Sequence, residues 1–283
     1  MKKNILYLFL ATSVCMSGCD VKDPIYNTPH SGQGTITLTT DWSQIGEGLG
    51  IPASYTVMIG DYTTTVGGTT AALDHFFEPG TYRMLVYNTP ENIRIEGTVA
   101  DATPGQGVYY PGGLFSCAAE VTIAEDTDHA ITAVMRQQVR QLTLVVEPTG
   151  DAADRIEHIW GSLKPMACKL DLENGTHSVG VRGTFGFSKI TEGADAGKWT
   201  FTQPILGFIP EETKILEIEI YYRNDSPEKQ VVTSDLTEPL AGFNDDKRTP
   251  LILSGKVVET PTGAGFGATI KDWITVSGSG TAE

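Results

Sequence analysis

The sequence is poor in the residues that carry out chemistry. Its 283 residues include five histidines and four cysteines. His30, His75, His129, His158 and His177 are scattered, with no His-Glu-x-x-His and no pair at metal-ligand spacing. No Ser/His/Asp set can be ordered along the chain. The glycine-rich segments Gly46–Gly50 and Gly263–Gly267 lack the Lys-Ser/Thr and the strand-to-helix setting of a phosphate loop, so they read as loops. Asn244-Asp245-Asp246 is a short acidic turn without EF-hand spacing, the kind that is ordinarily solvated. No catalytic residue, metal ligand or cofactor is expected. Basic charge is scarce as well: 20 Lys and Arg face 35 Asp and Glu, a formal charge of −15. Nucleic acid and bare anionic lipid both need a positive surface, so neither is expected as a partner. Long helical patterns are missing; the best candidate, Asp151–Leu163, is amphipathic for about three turns at most.

There is one long apolar run, Ile5–Met16, behind the basic start Lys2-Lys3. It is shorter than the roughly 20 residues that span a bilayer, and it suits a cleaved leader. Ser17 and Gly18 are small and precede Cys19. Met16-Ser17-Gly18-Cys19 resembles the bacterial lipobox, with Met in place of the usual Leu. In that pattern the cysteine becomes the first mature residue and its sulfur carries diacylglycerol. Cys15 is a poor rival because bulky Val14 precedes it. Two or more acyl chains hold a protein stably on a membrane. The expectation is residues 1–18 as signal peptide, Cys19 as the lipidation site and 19–33 as a proline-containing tether. Asp20–Asp23 loosely resembles the export signals of Bacteroidales surface lipoproteins.

What the chain has in quantity is β-signal. Thirty-one glycines and fifteen prolines punctuate runs of Thr, Val, Ile and Tyr, a pattern of short strands and tight turns. Ala130–Gly150 is the stretch that organises it. Ile131, Ala133, Met135 and Val139 alternate on one face, whereas Leu142, Leu144 and Val146 keep the opposite phase. A one-residue slip reverses the buried face. It falls in the polar run Arg136–Gln141, which reads as a solvated joint between two β-domains, 34–138 and 139–283. Strands are expected in the first half at Thr35–Thr39, Tyr55–Ile59, Tyr62–Val66, Thr81–Tyr87, Ile93–Val99, Ala118–Ile123 and Ala130–Met135. Those of the second half are Leu142–Val146, Val179–Phe187, Trp199–Gln203, Ile215–Tyr222, Gln230–Ser234, Leu251–Val258 and Ala268–Val276. Leu142–Val146 repeats the place of Thr35–Thr39, and Ile215–Asn224 that of Tyr82–Asn88. The tail Ser277–Glu283 is small and polar.

The lipobox, the Thr-rich first strand, the segment PGTYRMLVYN, the joint VRQLTLVV and the terminal IKDW together resemble the Bacteroidales-type fimbrillin superfamily, nearest to its lipoprotein anchor or accessory subunits. The resemblance implies an all-β fold of two tandem transthyretin-like β-sandwich domains, and a surface lipoprotein of the outer membrane. It also implies partners in other pilus subunits, joined by strand exchange. Stalk pilins of that superfamily are trimmed at the first strand by an arginine-specific protease. Here the only Lys or Arg between Cys19 and Thr70 is Lys22, and the first arginine is Arg83. A subunit that keeps its lipid fits that absence.

Two further points stay open on sequence. Cys117 and Cys168 could be bridged or free. A rival function is glycan binding through an aromatic loop platform. Trp42, Trp160, Trp199, Trp273, Tyr109 and Tyr110 are its candidates, of which Trp199 and Trp273 lie in strands and read as core.

Overall fold

A computed structural model describes residues 32–102, 110–150, 153–223, 229–262 and 265–276. The leader, Cys19 and the tether as far as Ser31 lie outside the described residues. The first half supplies β1 (Thr35–Gln44), β2 (Ser54–Ile59), β3 (Tyr62–Gly67), β4 (Thr70–Ala72), β5 (Gly80–Tyr87), β6 (Arg94–Glu96), β7 (Val99–Asp101), β8 (Phe115–Ile123) and β9 (Asp128–Gln137). After them come β10 (Arg140–Pro148), β11 (Ile156–Asp171), β12 (His177–Lys189), β13 (Trp199–Ile205) and β14 (Ile215–Tyr222). The last three are β15 (Gln230–Asp235), β16 (Leu251–Thr262) and β17 (Gly265–Thr275). The fold is all-β, as expected.

One sheet runs β3-β2-β5-β8-β9-β1-β4 and the other β15-β14-β11-β12-β13-β10-β16-β17. The same plan is visible in both. β3-β2-β5-β8 matches β12-β11-β14-β15, and β9-β1-β4 matches β16-β10-β13. Each copy also holds one parallel pair, β1 with β9 and β10 with β16. The expected internal correspondences fit this plan, β1 with β10 and β5 with β14. β17 has no counterpart in the first sheet.

Period-2 patterning explains the packing. In β5, Met84 and Val86 enter the core of the first sheet, while Leu85 and Tyr87 point the other way into a second cluster. That cluster joins the halves: Leu85, Tyr87, Leu114 and Val139 share it with Leu170, Leu172 and Leu206. A fully buried aliphatic side chain contributes about 1.5–3 kcal/mol, so this seam is a substantial contact. The larger core lies within the second half, around Leu142, Leu144, Ile159, Phe201, Ile218 and Leu253.

Three local expectations are corrected. Of the expected helix Asp151–Leu163, the described residues form a 3-10 turn at Ala153–Arg155 and then open β11, the 16-residue strand that pairs with β12, β14 and β7. A bulge between Ile156 and His158 explains the misleading pattern. The extra residue spaces Ile156 three positions from Ile159, a helix-like interval, before alternation resumes through Gly161 and Leu163. Ile93–Val99 does not form one strand of the first sheet. It breaks at Gly97, whose φ of 59° suits the turn of the β6–β7 hairpin, and β7 pairs with β11 of the second sheet. Asp101 on β7 sits 3.4 Å from Lys169 of β11.

The third correction concerns the joint. The burial phase does slip, because Val139 and Arg140 are buried in succession. The joint is not solvated, however. Gln137 is buried, its Nε2 donates to the Val139 carbonyl at 2.7 Å, and its Oε1 accepts from Gly46 N at 3.0 Å. Buried polar side chains are kept where the fold satisfies them, and composition alone does not reveal that.

Candidate functional site

β1 is seated inside its sheet, with β9 on one side and β4 on the other. Ile36, Leu38 and Thr40 point into the core. Gly34 and Phe77 exchange two backbone hydrogen bonds just before it, at 2.8 and 2.9 Å, and the Thr35 hydroxyl donates to Asp128. Removing β1 would uncover part of the first core, where Ile36 and Leu38 are buried.

The open surfaces lie elsewhere. β15 pairs along one edge with β14, and β17 pairs along one edge with β16. These two ends of the second sheet border a cleft of about 750 Å³, lined by Thr233, Ser234, Asp235, Pro239, Ile270 and Trp273 among others. Ser234 Oγ and Trp273 Nε1 are buried there without a hydrogen-bond partner among the described residues. A sheet edge carries unpaired backbone donors and acceptors, and a buried polar atom without a partner is uncommon in a finished fold. The two edges face each other across this cleft.

Behind this edge a polar cluster holds the 243–249 loop. Asn244 donates to the Phe208 carbonyl at 2.8 Å and accepts from Phe208 N at 3.0 Å. Gly207 permits that approach, since a Cβ there would lie 2.5 Å from Asn244 Oδ1 and its φ is 155°. Lys247 Nζ donates to the Leu206 carbonyl and lies 3.2 Å from His177 Nε2. Burial of the ammonium end, with help from nearby Arg140, brings the Lys247 pKa down to about 7. His177 falls to about 4, first through burial and then through Lys247. The acidic turn is thus structural: Asp246 Oδ1 accepts from Arg248 N at 3.0 Å and Thr249 N at 3.2 Å. Sequence offered no signal for the lysine, whose burial is purely tertiary.

The other sequence candidates disperse. Cys19 and Tyr109 are outside the described residues. Cys117 and Cys168 are free thiols, and Cys168 donates to the Val179 carbonyl. Among the described residues the aromatic candidates do not gather into one loop platform. Trp42 packs edge-on against Phe115, and its Nε1 donates to Thr40 Oγ1. Tyr110 leans on Phe201, and burial pushes its pKa up to about 12. Trp199 is core and Trp273 packs against the same core. Only Trp160 among these described tryptophans is half exposed, and it stands on a strand. Among the described residues no three His, Cys, Asp or Glu converge as a metal site, and no helix is long and apolar enough to cross a membrane.

These features define an all-β protein built from two copies of one strand plan, with open sheet edges. The chain belongs to the family of fimbrillin-A associated anchor proteins Mfa1 and Mfa2, whose family model matches residues 54–278. It is a fimbrial subunit of the cell surface that associates with other fimbrial subunits. Solved structures of similar fold include a candidate adhesin from Bacteroides ovatus, with TM-score 0.60 and 19% identity over 87% of this chain and 95% of that one. The fimbrial anchor protein Mfa2 from Porphyromonas gingivalis matches with TM-score 0.56 and 10% identity, over 87% of this chain and 100% of that one. At such identities the likeness is one of fold. No curated protein matches the chain.

Proposed function

We propose that this protein is a non-enzymatic fimbrial anchor or accessory subunit, held in the outer membrane by an acylated Cys19 and joined to its neighbour by β-strand addition. The leader is 1–18, the lipidated tether 19–33, and the two transthyretin-like sandwich domains 34–138 and 139–283. The observation that carries strand addition is the cleft between β15 and β17, where Ser234 Oγ and Trp273 Nε1 have no hydrogen-bond partner among the described residues. An incoming strand would pair with an open edge and place alternate side chains in the cleft. Retention of the lipid is supported by the absence of Arg and Lys between Lys22 and Arg83. An arginine-specific protease has no site from which to release β1. Family membership and the repeated strand plan support the anchor role and the transthyretin-like description respectively.

The test is the N-terminus of the protein recovered from assembled fimbriae. An acylated Cys19 is the expected result. A new N-terminus beyond Thr39 would overturn the anchor assignment and make this a stalk or tip subunit.

A further inference from the structure

The outer face of the second sheet carries an arrangement that the strand addition proposed above does not involve. Across β12, β11 and β14, Gly186 pairs with Trp160 and Trp160 with Glu219; one row on, Thr184 pairs with Ser162 and Ser162 with Glu217. Trp160 is 50% exposed. Its ring atoms Cε3, Cζ3 and Cη2 lie 3.9, 3.7 and 3.9 Å from the position a Cβ on Gly186 would take. Three consecutive ring atoms at nearly one distance mean that the indole lies face-down over the glycine. Its other face looks to solvent. A cleft of about 360 Å³ extends from it, lined by Ser162, Arg182, Thr184, Glu217, Glu219 and Tyr221.

The polar groups of this cleft are organised. Arg182 Nη1 donates to Ser162 Oγ at 2.9 Å and to Glu217 Oε1 at 3.2 Å. Glu219 accepts from the Tyr221 hydroxyl at 2.6 Å and from Lys229 at 3.0 Å, and those bonds lower its pKa. His158 stacks on Tyr221 with ring centres 4.3 Å apart. Two positive and two negative side chains are therefore paired with each other, so the site offers little net charge to an ionic ligand. It does offer an apolar plate beside a dense set of donors and acceptors on Ser162, Arg182, Thr184 and Glu217.

We propose that this face binds a neutral saccharide of a glycan chain. One sugar ring stacks its C–H face on Trp160. Its hydroxyls, or those of the next ring, reach the Ser162–Thr184–Glu217 row, about 7 Å along the strands at two residues' rise. The volume suits a ligand of that size, since small-molecule sites hold roughly 300–1,000 Å³. A flat aromatic face recognises C–H groups without reading charge, and a charge-paired rim reads hydroxyls by direction. This site is independent of the anchor assignment: it lies on the exposed face of β11, away from the β15–β17 cleft.

The experiment is affinity electrophoresis of the full-length mature protein through gels containing dextran, yeast mannan, galactan or starch, with polygalacturonate as an acidic comparison. The expected result is retardation by at least one neutral polysaccharide, little changed between about 0.05 and 0.5 M salt because screening acts on charges. Trp160→Ala weakens it about tenfold or more, and Thr184→Ala weakens it less. Both side chains are solvent-facing, so an unchanged thermal midpoint confirms that the variants fold. No retardation by any neutral polymer overturns the proposal, as does retardation that Trp160→Ala leaves intact. Retardation by polygalacturonate alone, abolished by salt, also overturns it.

Discussion

Arg140 grips Phe243 twice: Nη1 donates to its carbonyl at 3.3 Å, and the guanidinium carbon stands 5.1 Å from the centre of its ring. Arg140 begins β10, the first strand of the second half, and Phe243 begins the loop that carries Lys247. The same arginine donates through Nε to the Thr249 carbonyl at 2.6 Å. One buried side chain therefore ties both ends of the 243–249 loop to the joint between the halves.

Arg140→Ala should cost about 2–3 kcal/mol of stability, because two carbonyls lose a charged donor in a buried setting. Arg140→Lys should recover less than half, since an ammonium cannot reproduce the fork that reaches both carbonyls. Urea titration of the variants measures both.

Stability should rise with pH above neutrality. Lys247 has a folded pKa of about 7 against 10.5 unfolded, so between those values the unfolded chain holds a proton that the native chain lacks. The contribution is complete above 10.5 and is lost as pH falls through 7. His177, at about 4 against 6.5, continues the loss from 6.5 down to 4. Denaturation midpoints taken from pH 7 to 9 should climb in the wild type. In Lys247→Met that climb should be reduced.

Ser234→Ala should separate folding from assembly. The hydroxyl is buried without a partner among the described residues, so its removal should leave the isolated protein as stable or slightly more so, by up to about 1 kcal/mol. Incorporation into fimbriae should fall, because an incoming strand loses a hydrogen-bonding group. A variant that is less stable and assembles normally would count against the cleft.

Arginine-specific digestion of the folded protein should leave β1 attached. No arginine precedes Arg83, which is 69% exposed in its side chain but paired with Glu173 at 3.2 Å in the middle of β5. Introducing an arginine at Gln33, just before β1, should create a cut that separates the lipid from the folded body. Cys19→Ala should release the protein from the membrane fraction, and persistence there would refute the lipid anchor.

Much of the architecture is local and was legible as pattern. Thr35–Thr39, Leu142–Val146 and Ile215–Tyr222 alternate with period two, and pleat geometry turns that alternation directly into a buried and a more open face. The phase slip at Val139–Arg140 was readable for the same reason. The correspondence of β1 with β10 was also visible, because equivalent strands in a repeated plan bury equivalent positions.

Tertiary structure decided the rest. β11 was hidden because a bulge gives Ile156 and Ile159 helical spacing, and a bulge is defined only by the partner strand it faces. β7 crosses to the second sheet because Ala100 fits against Leu170 there, a pairing across about 70 residues that no local window contains. Trp160, Trp199 and Trp273 are alike in composition and all stand on strands. Trp199 fills the core, Trp273 borders a cleft and Trp160 lies open over Gly186, because side-chain direction follows from strand register. The sequence by itself thus determined the regularly alternating strands and which of their residues share a face. Which edges stay unpaired, and what each face meets, arose from non-local pairing, where one residue of register decides between core and solvent.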